Sequence, residues 1–280
     1  MEGTYFVKTD IGKFRVQKSS GSTLYKGQAR PYSMLKIGGK NNCIEMKWYY
    51  DEDTCELQWL DTSEGGCEIT GTTIKGEGTV LLLHLAITLL KQYQDIKTLH
   101  FLDNSKLHCR LPSSQIEKMS LQRFYFLRHQ KTWYEAKFGA YPQNSQEREG
   151  YNDMKQNFKK PLHDQFFDFR NMDLQEEFIS LYETSNTWQD FFEMIKGADC
   201  SKFAPWYMSA YGIIAGSYKM PEYWMIDTDK IPVISYTISQ NGGYTRKHRK
   251  QRKNKTGIFF SNNMDTNTLR PSELYEIRYK

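Results

Sequence analysis

The stretch Thr73-Ile74-Lys75-Gly76-Glu77-Gly78-Thr79 runs straight into an apolar segment at 80–90, and this junction constrains the fold more than any other part of the chain. Leu81, Leu82, Leu85, Ala86, Leu89 and Leu90 recur at i, i+4 spacing, while Val80, Leu83 and Ile87 add apolar surface around them. That pattern predicts a helix over 79–93 that is buried on most of its sides. Glycines just before a helix let backbone approach a ligand closely, and the free N–H groups of a first helical turn favour an anion.

The flanks of the junction read as strands. Tyr5-Phe6-Val7 and Lys13-Phe14-Arg15-Val16 are short β segments, with a Ser/Gly turn expected at 19–22. Residues 43–50 and 55–60 alternate around Asp51-Glu52-Asp53-Thr54 and predict a hairpin. Beyond the buried helix, 97–104 reads as a strand. Ser114-Gln115-Ile116-Glu117 then fits a capping box that would open a helical region, which Gly139 and Pro142 close.

Strands, helix, strand, helix make an α+β layout with a strand–helix–strand crossover at its centre. The core is expected over 1–142. Residues 143–160 are polar and read as a linker or surface segment, while 173–183, 187–196 and 202–217 are helix candidates. The 143–221 region is expected to be a mainly helical insertion or a small second domain. Tyr223-Trp224-Met225-Ile226 and 232–238, within 222–240, are expected to complete the sheet, and 241–280 reads as a basic, polar tail.

Aromatic residues make up 15% of the chain, enough to build a core, so wholesale disorder is not expected. No stretch approaches the ~18 consecutive apolar residues of a membrane span, no secretory signal is visible, and no membrane partner is expected. The five cysteines, Cys43, Cys55, Cys67, Cys109 and Cys200, include no Cys-x-x-Cys pair. Their odd number and wide spacing predict inert thiols in a reducing compartment rather than a zinc site or a disulfide framework. The six histidines show no ligand spacing, so no metal is expected either.

Seven cations lie between 246 and 255: Arg246, Lys247, Arg249, Lys250, Arg252, Lys253 and Lys255. Taking those seven from the net charge of +5 leaves −2, so the basic character is local. Such a run suits a phosphate backbone without sequence preference, and nucleic-acid contact is the expected role.

The order of elements around Gly76 and Gly78 resembles the GNAT superfamily of CoA-dependent N-acetyltransferases. That family has an antiparallel meander, a Gln/Arg-x-x-Gly-x-Gly/Ala motif, a helix, a parallel strand and another helix. Thr73 stands where the family has Gln or Arg, and Glu77 sits between the two glycines. The resemblance covers roughly 30–142 and implies a GNAT-like mixed central sheet with flanking helices. It also implies acetyl-CoA as cofactor and an amine as acceptor. Lys75, Gly76, Glu77, Gly78 and Thr79 would hold the CoA pyrophosphate, and Asn104 ends the strand that would receive the pantetheine arm.

Lys131-Thr132-Trp133-Tyr134-Glu135-Ala136-Lys137-Phe138-Gly139 is similar to the family's Tyr-Glu-Lys-x-Gly-Phe segment, which puts Tyr134 in the role of general acid to the departing thiolate. For the general base the candidates are Glu56, Asp61 and Asp103. Residues 126–142 and the Gly-Gly-led basic segment at 242–250 resemble GNAT-like proteins of large DNA viruses of eukaryotes, implying a location in host cytoplasm, nucleus or virion interior. Two functions stand as expectations: an acetyltransferase, or an inactive GNAT-like structural or nucleic-acid-binding protein.

Overall fold

The computed structural model describes residues 3–9, 12–39, 41–60, 68–69, 72–73, 77–162 and 176–239. Lys75, Gly76, Asp61 and the whole basic run from Arg246 to Lys255 lie outside them.

The chain opens with an antiparallel meander of five strands: β1 (Gly3–Thr9), β2 (Gly12–Tyr25), β3 (Gln28–Gly38), β4 (Asn42–Tyr49) and β5 (Thr54–Leu60). The turn expected at 19–22 is absent. Ser19, Ser20, Gly21 and Ser22 continue β2 because the long β3 supplies ladder partners as far as Tyr25↔Gln28. The reversal comes instead at Lys26 (φ 50°) and Gly27 (φ 80°), the left-handed pair that matches a tight hairpin. The β4–β5 hairpin forms as the alternation predicts.

After β5 come the two short strands β6 (Glu68–Ile69) and β7 (Thr72–Thr73), and then α1 (Glu77–Leu90). Leu82, Leu83, Leu85, Ala86, Ile87, Leu89 and Leu90 are all enclosed, and Thr79, His84 and Thr88 are buried with them. Full burial contributes about 1.5–3 kcal/mol per large aliphatic side chain, so tertiary packing rather than propensity holds α1. The helix leads to β8 (Thr98–Leu102), which lies parallel to β5.

Sequence and structure part company at the capping box. Ile116–Ser120 is a strand, β10, paired with β9 (Lys106–Arg110), and Ser114 takes a left-handed φ of 64° in the turn between them. The helix α2 (Leu121–His129) starts later, on Ser120, whose side chain accepts from the Arg123 N–H. The short α3 (Trp133–Phe138) follows, capped by Thr132 and stopped at Gly139 (φ 64°), where the sequence places the stop. Tyr141–Pro142 forms the short strand β11, and the polar segment after it is a helix, α4 (Ser145–Asn157), with Tyr151 and Met154 turned inward.

The helices α5 (Glu176–Thr184) and α6 (Trp188–Met194) fall on predicted segments. The single helix expected over 202–217 is two, α7 (Cys200–Phe203) and α8 (Tyr207–Ala215), parted around Pro205. Trp188, Phe191, Phe192, Phe203 and Trp206 stack edge and face in one enclosed aromatic cluster.

β12 (Tyr223–Asp227) enters the sheet between β8 and β11. The last predicted strand is a correction. Most of 232–238 is irregular, and β13 (Thr237–Ser239) pairs with β1 at the far edge rather than beside β12. The nine-stranded sheet therefore runs β11-β12-β8-β5-β4-β3-β2-β1-β13, with β5–β8 its parallel pair. The protein is α+β.

The cysteine expectation also fails: Cys109 on β9 and Cys200 on α7 form a disulfide, and Cys43 is disulfide-bonded too. Spacing along the chain carries no information about a bond between residues 91 apart. Cys55 is the buried free thiol among the described residues.

Candidate functional site: a cleft where two parallel strands part

Alternation sorts the sheet residues onto two faces. Phe14, Val16, Leu35, Ile37, Met46, Trp48, Cys55, Leu57, Leu99, Phe101, Trp224 and Ile226 point to one face and are buried. The helices pack there: Tyr134 of α3 lies 4.5 Å from the Phe101 ring, and Tyr151 of α4 lies 5.2 Å from Trp224. On the other face, Arg15, Gln17, Tyr32, Met34, Lys36, Glu45, Lys47, Tyr49, Thr54, Glu56 and Gln58 are half-buried or exposed. No helix covers that face among the described residues.

The parallel pair β5–β8 holds for three rungs only: Thr54↔Thr98, Cys55↔Leu99 and Glu56↔His100. Past Glu56 the strands separate. On its other side, β5 carries an extra residue against β4, because Met46 pairs with Leu57 but Glu45 pairs with Trp59. This bulge at Gln58 bends the strand away from β8.

Where the strands part, a cleft of about 570 Å³ opens. Glu56, Leu57 and Gln58 of β5 face His100, Phe101, Leu102 and Asn104 across it, while Tyr49, Glu52, Gln143 and Tyr223 form part of its rim. Leu57 and Phe101, whose side chains belong to the buried face, also line the cleft.

Glu56 is flanked in register by Lys47 on β4 and His100 on β8. Burial lowers the His100 pKa below the usual histidine value, with Gln143 and the nearby carboxylates Glu56, Glu52 and Asp53 opposing. The imidazole is accordingly neutral near pH 7. Glu52 is held by the Arg30 guanidinium at 2.5 Å and by the Thr54 hydroxyl at 3.1 Å.

The predicted site residues fall into three groups. Glu56 and Asn104 both line the cleft. Tyr134 does not. It is fully enclosed, with Phe101, Trp133 and Phe138 around its ring. Its phenol pKa is raised well above the ordinary value, first by burial and then by the Asp103 charge. Of the anion-binding junction, Glu77 opens α1 and Thr79 is buried in its first turn. His100, Gln143, Tyr49 and Tyr223 went unrecognised in the sequence. The outward alternation of β5 and β8 was visible, but the register that sets His100 opposite Glu56 was not.

Asp103, at the end of β8, is wholly buried, and its pKa is pushed up to about 6 by desolvation. The Ser105 N–H, at 3.1 Å, and hydroxyl, at 2.5 Å, donate to it and oppose the shift. A carboxyl whose folded pKa lies above its unfolded value stabilises most below the unfolded pKa, and that contribution is lost as pH rises to the folded pKa. The stability of the protein relative to an Asp103→Asn variant should therefore fall between pH ~4 and ~6, by on the order of 3 kcal/mol, and then level off. Denaturant melts across that range check this, and parallel pH curves for the two proteins would contradict it.

The fold and cleft together define an α+β protein whose described helices pack on one face of a mixed sheet, with a candidate site at its parting strands. No protein-family model, curated protein or solved structure matches the chain. No helix among the described residues is long and apolar enough to cross a membrane.

Proposed function

We propose that the chain is a CoA-dependent N-acetyltransferase of the GNAT type, moving an acetyl group to an amine in the β5–β8 cleft. The observation that carries this reading is the parting of β5 from β8 after three paired rungs, with the strands joined through α1 and a cleft opening at the split. The five-strand meander before α1 and the entry of β12 beside β8 add support, because the family's sheet needs both.

The chain's own groups fit the cofactor. The start of α1 is the positive end of a helix dipole, which favours a pyrophosphate, and the split would leave a passage between strands for an extended arm. When bound, acetyl-CoA supplies an acyl group activated as a thioester. Glu56, on the open face, accepts the proton of the incoming ammonium. Tyr134, the general acid that the family resemblance implies, lies against Phe101 on the helix side, fully enclosed and outside the cleft lining, so no proton transfer is assigned to it.

Thermal unfolding with and without millimolar acetyl-CoA tests the reading. Ligand at 100-fold its Kd stabilises by about 2.7 kcal/mol, a rise of roughly 5 °C for a chain of this size. No rise would sink the acetyltransferase reading and leave the non-catalytic one.

A further inference from the structure

We propose that the acceptor is a lysine of the chain's own basic segment, so that the cleft acetylates 246–255 in cis. This rests on the acetyltransferase reading above and names the substrate of that site.

Three observations point to it. The cleft opens on the uncovered face of the sheet, where a polypeptide can lie across the strands. The last described strand, β13, pairs with β1 at the sheet edge, with Ser239 opposite Phe6 and Thr237 opposite Lys8. It therefore runs toward the Gly3 end of β1. The cross-strand row containing Glu56 passes through Lys47, Met34 and Ser19, and Ser19 lies just beyond Lys18, the partner of Gly3. The chain thus leaves β13 heading for the row that holds Glu56.

The reach is sufficient. From β13 to β5 is five strand spacings, about 24 Å, and from the Arg15 row to the Ser19 row is roughly 13 Å along the strands. The direct path is then about 28 Å. An extended chain covers roughly 27 Å from Ser239 to Lys247 and about 37 Å to Lys250, before any length of the lysine side chain is counted. That length is enough to carry Lys250, Lys253 or Lys255 as far as the cleft.

Charge complementarity supplies the third argument. The β4–β5 turn and the cleft bring together Asp51, Glu52, Asp53 and Glu56 against the cations Arg30 and Lys47, a local excess of two negative charges. The segment 246–255 carries seven cations in ten residues. In the transfer, the lysine ammonium loses one proton to the Glu56 carboxylate and its nitrogen bonds the acetyl carbon. As the carbon–sulfur bond breaks, the nitrogen gives up a second proton, and the sulfur leaves as a thiol carrying it.

The test is peptide mapping by mass spectrometry of the full chain incubated with acetyl-CoA. Acetyl groups are expected on lysines of 246–255 well ahead of other surface lysines, at a rate per molecule unchanged by a 100-fold dilution. Replacing Lys247, Lys250, Lys253 and Lys255 by Arg should abolish the modification and leave the thermal shift with acetyl-CoA intact. Acetylation spread evenly over surface lysines, or a rate that falls on dilution, overturns transfer in cis. A thermal shift accompanied by transfer to an added diamine or peptide, with 246–255 untouched, overturns this inference and leaves the acetyltransferase reading standing. The absence of any shift removes both.

Discussion

Replacing Cys109 and Cys200 together by serine is expected to lower stability by about 4–5 kcal/mol, from the chain-entropy cost of releasing a loop of this length. The bond closes 91 residues of chain that include α2 through α6, so its loss frees an unfolded ensemble it now restricts. At the melting temperature this corresponds to a fall of roughly 7–9 °C. The double substitution avoids stranding one thiol beside a polar replacement. Guanidinium melts of parent and variant check the value, and adding reductant to the parent should bring it down at least as far, since Cys43 is also oxidised. Coincident melts of parent and variant would mean that aromatic packing alone holds α7. That alternative has a structural basis, because Phe203 of α7 contacts Phe124 and Trp206.

The parts of this architecture that were legible in the sequence are those where burial repeats locally. The stripe 81–90 announced α1, and the alternation around Asp51-Glu52-Asp53-Thr54 announced β4 and β5. Where the deciding contacts are distant, local chemistry misled. Ser114-Gln115-Ile116-Glu117 satisfies a capping box, yet Ile116–Ser120 finds its partners in Lys106–Arg110, and the ladder overrides the cap. Residues 145–157 look solvated because only a narrow stripe, Gly150, Tyr151 and Met154, turns inward. That stripe suffices because Tyr151 meets Trp224 and Phe126 and donates to Glu135 at 2.6 Å. Ser19 to Ser22 carry turn residues but inherit a strand from β3.

The same division runs through the site. Glu56 and Asn104 were recoverable because they sit at fixed places in a strand–helix–strand unit. His100 was not, since nothing in Leu99-His100-Phe101 says which residue will lie opposite. The acidic corner at Asp51 to Glu56 was likewise read only as a turn.

Glu56→Gln is expected to reduce acetyl transfer by about 10²–10⁴-fold, the usual contribution of a positioned general base, while the acetyl-CoA thermal shift stays within error. Tyr134→Phe tests the general-acid role that the family resemblance implies: a phenol enclosed outside the cleft is expected to leave turnover and acetyl-CoA binding at the parent's level. A fall in turnover would instead mean that Tyr134 supports the fold of the cleft. Tyr134 is fully enclosed among Phe101, Trp133 and Phe138, so the melting temperature of the variant should then be measured.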